Sequence, residues 1–88
     1  MYRVSDTVRS THNEDGGIVL DIQRGRLLRL NQTGSAIFQQ VESARTELQI
    51  IEGMRRDFHL SLEAARKDVT DFLRSLEAQG LICHQSSK

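Results

Sequence analysis

The stretch at residues 18–34, IVLDIQRGRLLRLNQTG, constrains this chain more than any other. Two apolar runs flank Gln23-Arg24-Gly25, the pattern of a β-hairpin with glycine supplying a turn conformation. The second run, Arg26 to Leu30, stops at Asn31, a residue whose side-chain oxygen suits a helix N-cap, with Thr33, Gly34 and Ser35 just behind it. Strand therefore becomes helix within one or two residues. No later run reads as a strand that could pair beside it, so the spacing predicts an edge. An edge strand is a row of unused backbone donors and acceptors, and it is the part of this chain most open to a partner. Which alternate set of its backbone groups faces outward is not fixed by sequence.

The segments before the hairpin read as a first strand, centred on residues 7–11, and a turn at Asn13-Glu14-Asp15-Gly16-Gly17. In the second strand, residues 18–22, Ile18, Leu20 and Ile22 point one way and Val19 and Asp21 the other. In the third, Leu28 and Leu30 share one face, Leu27 and Arg29 the opposite one. Leu27 is then an apolar side chain on the wrong face of a thin sheet. It either packs under the N-terminal arm or faces a partner.

The remainder carries helical periodicity. A first helix is expected at residues 32–41, with Ile37, Phe38 and Val41 inward. A second follows Thr46, which with Gln49 forms a capping box, and it buries Ile50, Ile51, Met54 and Phe58. A third follows Ser61 and carries the stripe Leu62, Ala65, Val69, Phe72, Leu73 and Leu76. Gly80 ends it, with Leu81 folding back onto Leu76. The fold class is therefore α+β: a three-stranded antiparallel sheet followed by three helices, with the short Phe58-His59-Leu60-Ser61 connection giving a winged helix-turn-helix-like shape. One domain is expected at residues 1–82, with a polar tail at 83–88.

Length and charge narrow the function. With 88 residues the chain has a modest core, burying about 60–65% of its unfolded surface. The formal net charge is zero, and the third helix sets Arg66, Lys67 and Arg74 against Glu63, Asp68, Asp71 and Glu77. A recognition helix needs a positive surface toward phosphates, so nucleic acid is not the expected partner. Asp68 and Asp71 read as a solvated face. No run of about eighteen apolar residues exists to span a membrane. The N-terminus, MYRVSDTVRS, has no apolar signal core, which predicts a cytoplasmic location.

No catalytic, metal or cofactor constellation appears. Gly16-Gly17 and Gly34 lack the lysine and spacing of a phosphate loop. Cys83-His84 has no second ligand pair, and Cys83, the single cysteine, reads as a half-buried packing residue. Ser35 follows a glycine at a strand-to-helix turn, but Ile37 stands where a nucleophile elbow needs its second glycine. Helix capping is the expected job for Ser35.

Taken together, DGGIVLDIQRGRLLRLNQTGSAIF, the two helices after it and EAARKDVTDFLRSLEAQGLI resemble a known family. They are similar to the PqqD-like proteins, the recognition elements for precursors of ribosomally synthesised, post-translationally modified peptides. The cues are the RGR turn, the strand ending in Leu30-Asn31, Thr33-Gly34 and Ala36-Ile37-Phe38. Asp68-Val69, Phe72-Leu73, Leu76 and Gly80-Leu81-Ile82 add to them. Within that family the chain most resembles the small stand-alone proteins of lasso-peptide clusters.

The resemblance implies a non-enzymatic adaptor whose partners are a precursor's leader peptide and a leader peptidase or other modifying enzyme. It implies that the leader adds as an antiparallel strand to Arg26, Leu27, Leu28, Arg29 and Leu30. Leader side chains would then settle against the third helix near Val69, Phe72, Leu73 and Leu76. Relatives often carry an aromatic at Leu27-Leu28, proline at Gln32 and tryptophan at Phe38, so the pocket differs in shape here. The alternatives are a winged-helix DNA-binding regulator and a PqqD-type chaperone in quinone-cofactor synthesis, which uses the same fold.

Overall fold

The computed structural model describes residues 2–84. The element order is β1 (Tyr2–Val4), β2 (Val8–Asn13), β3 (Gly16–Asp21), β4 (Arg26–Leu30), α1 (Gln32–Glu42), α2 (Glu47–Phe58), α3 (Leu62–Ala78) and β5 (Ile82–His84). Strands β2, β3 and β4 form an antiparallel sheet in that order, so β4 is an edge. The expected third strand is thus β4, with the bounds read from sequence.

Two short elements were not legible. β1 and β5 form a second, two-stranded antiparallel sheet that joins the two ends of the described chain, with Tyr2 opposite His84, Arg3 opposite Cys83 and Val4 opposite Ile82. The tail expected from residue 83 therefore begins as strand; residues 85–88 lie outside the described residues. Three-residue strands carry too little alternation to register as a pattern, and their pairing spans nearly the whole sequence. Cys83 is exposed rather than half-buried. The side chain that closes the core there is its neighbour Ile82.

Each helix begins as its sequence predicts. Asn31 accepts a 2.7 Å hydrogen bond from the Gly34 N–H. Thr46 and Gln49 complete the reciprocal capping box at 3.1 and 2.9 Å. Ser61 accepts from the Ala64 N–H. Gly80, at φ +76°, closes α3 in a Schellman ending, its N–H bonding the Glu77 carbonyl and the Leu81 N–H bonding the Leu76 carbonyl. Ser35 does no capping; its hydroxyl goes elsewhere, as described below. The α2–α3 turn passes through His59 in a left-handed conformation. No described helix is long and apolar enough to cross a membrane.

The core lies between the sheet's inner face and the helices. Ile37 and Phe38 of α1, Ile50 and Met54 of α2, and Ala65, Val69, Leu73 and Leu76 of α3 meet Val19 and Leu30 there. The inward set on β3 is Val19 and Asp21; Ile18, Leu20 and Ile22 are the exposed ones. The reason is topological. α1 starts two residues after Leu30 and packs on the face Leu30 points to. The register sets Gly17 opposite Leu30 and Val19 opposite Leu28, so Val19 must turn inward with them.

Candidate functional site

The backbone of β4 can be followed group by group. Beyond the end of β3, the Ile22 N–H donates to the Thr7 carbonyl at 3.0 Å. Ile22 thus turns its backbone groups toward the β2 side. Along an unbroken strand the direction alternates. Leu20 and Ile18 follow Ile22, while Asp21, Val19 and Gly17 turn theirs toward β4. Opposite those three stand Arg26, Leu28 and Leu30. The N–H and C=O groups of Leu27 and Arg29 are consequently the outward set, with no partner strand among the described residues, the parity that sequence left open.

A second wall runs alongside this edge. Between β4 and the middle of α3 opens a cleft of about 550 Å³. Leu30 and Ile37 line its base, Phe72 one side, and Arg29, Asp68 and Asp71 its rim. Gly34 helps to shape it, because a Cβ there would stand 3.2 Å from the Phe72 ring, tighter than ordinary contact. Toward the hairpin turn a smaller hollow of about 230 Å³ continues the line past Leu28, Leu81 and Gln79. The groove ends in a clasp. Arg24 and Arg26 both donate to the Gln79 carbonyl, Arg26 at 3.3 Å. Two guanidinium groups there complement the negative end of the α3 dipole, and Arg24 also pairs with the nearly buried Asp21 at 3.4 Å.

The nine residues named from sequence divide into two groups. Arg26 to Leu30 form the open edge, and Phe72 faces the cleft. Val69, Leu73 and Leu76 are 0% exposed and belong to the core. They hold α3 in place, and the helix surface beside the cleft is Asp68, Asp71 and Phe72 instead. The sequence signal for this was present: the trio falls at i, i+3 and i+4, on the flank of the buried stripe. Asp71 also pairs with Lys67 at 3.0 Å. Leu27 is 61% exposed on the outer face of the sheet, and β1, paired with β5, does not cover it. The arm-packing reading of Leu27 is thereby removed.

A polar cluster sits on the far side of α1. His12 Nδ1 lies 2.6 Å from Ser35 Oγ, and its Nε2 lies 3.1 Å from Ser10 Oγ and 3.2 Å from a Glu42 carboxylate oxygen. The residue types are those of a serine–histidine–acid triad. Ser35, however, is 2% exposed, and the described hollows are not lined by its side chain. The cluster fastens β2 to α1. Among the described residues no group of three or more His, Cys, Asp or Glu is placed to hold a metal.

The site is thus an edge strand, with the backbone groups of Leu27 and Arg29 turned outward, beside a groove walled by α3. Residues 16–82 match the family described as Coenzyme PQQ synthesis protein D (PqqD), and the chain belongs to that family. Two solved structures share its fold. One, titled TbiB1 in complex with the TbiA(beta) leader peptide, has 26% identity and a TM-score of 0.87, covering 97% of this chain and 99% of that one. The other, a lasso peptide synthetase B1 complexed with the leader peptide, has 18% identity and a TM-score of 0.84, covering 94% and 98%. No match was found among curated proteins.

Proposed function

We propose that this chain is a leader-peptide adaptor of lasso-peptide biosynthesis. It captures the leader of a ribosomally made precursor by strand addition to β4 and presents the remainder to a modifying enzyme or leader peptidase. The observation that carries this reading is the pairing of a free backbone edge with a groove along α3. In β-augmentation the backbone bonds supply affinity and the pockets supply specificity. The sheet is antiparallel throughout, and an antiparallel leader would extend it in kind. The likeness to two leader-bound structures supports the class of peptide. The family match alone would also fit a chaperone in quinone-cofactor synthesis, which uses the same fold.

Residue-resolved hydrogen exchange with a synthetic leader tests the mode of binding. The Leu27 and Arg29 amides should slow, while those of Arg26, Leu28 and Leu30, already bonded to β3, should change little. The Phe72 ring signals should shift in the same titration. Protection centred on Arg55, Arg56, Arg66 and Lys67 would mean docking on a charged helical face, and strand addition would be wrong.

A further inference from the structure

The outer face of the sheet, turned away from the helices, carries two cross-strand rows. One is Arg9–Leu20–Leu27, the other Thr11–Ile18–Arg29. Ile18, Leu20 and Leu27 are all exposed there. Both rows end on β4 at the two residues whose backbone groups are free. A strand added to β4 pairs directly with Leu27 and Arg29, and its side chains opposite them must point to the same outer face. Only the alternate leader side chains, opposite Leu28 and Leu30, turn toward the α3 groove.

We infer that these outer rows read the leader as well, selecting an acidic residue opposite Arg29 and an apolar residue opposite Leu27. In an antiparallel leader the residue opposite Arg29 comes first. The motif in N-to-C order is therefore acidic, any residue, apolar. This inference rests on the strand-addition reading and adds a specificity determinant on the sheet's outer face, next to the groove whose rim Arg29 also lines.

Two observations support it. On the apolar row, Leu27 is flanked on its inner side by Leu20 and on its outer side by nothing from the described chain, so an apolar leader residue covers both. On the charged row, the neighbour of Arg29 is Ile18, which offers no counter-charge. Asp68 and Asp71 line the same cleft rim, yet neither forms an ion pair with Arg29 among the described residues. Opposite-charge and apolar cross-strand pairs each change affinity by about 1.5- to 5-fold, enough to bias a selection.

The test uses a displayed library of random twelve-residue peptides, selected separately on the full 88-residue chain and on its Arg29→Glu and Leu27→Glu variants. The wild-type chain should enrich acidic–x–apolar peptides. Arg29→Glu should exchange the acidic preference for a basic one and keep the apolar position, with a 1.5- to 5-fold affinity switch for matched synthetic pairs. Leu27→Glu should lose the apolar preference and keep the acidic one. Suppose instead that the enriched peptides slow the Leu27 and Arg29 amides of the wild-type chain but show the same consensus on all three proteins. The outer-face readout is then wrong while strand addition stands. Peptides that leave those amides unprotected, or no enrichment at all, overturn the underlying reading and this inference with it.

Discussion

The three-stranded sheet has two edges, and they differ in what stands beside them. β2 reads VRSTHN and β4 reads RLLRL. On β2 the inward polar side chains are already engaged. Ser10 donates to Glu42 at 2.5 Å, and His12 contacts Ser35 and Glu42. These bonds draw the strand onto α1. On β4 the inward side chains look past the strand into a groove walled by α3. An unpaired edge is thus not a binding site by itself, since its backbone groups are equally well served by water. What sets β4 apart is a second surface alongside it, the α3 wall of the cleft. The polar composition of β2 has the complementary effect of discouraging stray pairing.

Matched proline substitutions break the comparison most directly. Proline is tolerated on an edge strand where its missing N–H would have faced solvent. Leu27→Pro should leave the fold intact yet weaken leader binding by about 2–3 kcal/mol, roughly 30- to 150-fold. One backbone bond is lost and the ring projects into the incoming strand. Ser10→Pro makes the same change on the other edge and should leave leader affinity unaltered, at some cost in stability because the hydroxyl that bonds Glu42 is lost. Calorimetric titration of both variants decides the matter; equal losses would mean that the edges are equivalent.

Removing the second wall should have a smaller effect. Phe72 is partly buried against the core and also lines the cleft. Phe72→Ala should weaken binding by about 1–2 kcal/mol, a fraction of the transfer free energy of a fully buried aromatic. The strand protection of Leu27 and Arg29 should persist at saturating peptide. Loss of that protection would show that the groove, and not the edge, initiates binding.

The smallest effect is expected at a residue that lines neither hollow of the groove. Cys83 is exposed on β5, opposite Arg3. Cys83→Ser should change stability by less than about 0.5 kcal/mol and leader affinity not at all, as a thermal melt and one titration would register. A larger loss of binding would give the terminal two-stranded sheet a part in recognition.

The contrast between the edges was only half legible in the chain. Asn31 immediately after Leu30 announced a strand that leaves its sheet, because capping chemistry is local and acts within four residues. The helix starts at Thr46 and Ser61 and the stop at Gly80 were readable for the same reason. The assignment of α3 side chains to the groove was read too generously. Val69, Leu73 and Leu76 belong to the apolar stripe that periodicity detects, and such a stripe marks what a helix buries, not what it shows to a ligand. The residues beside the cleft, Asp68 and Asp71 among them, are polar neighbours of that stripe and looked like ordinary solvated charge.

By itself, then, the sequence determined the local decisions: where strand gives way to helix, how each helix is capped, and that β4 has no later partner at its side. These depend on residues a few positions apart. The tertiary structure alone decided which face of β3 turns inward, which backbone groups of β4 remain free, and that β1 joins β5 across the length of the chain. Alternation along a strand has two equivalent phases. The choice between them is made only when Leu30 is drawn under α1, and every side chain and every free N–H along the sheet then takes its side.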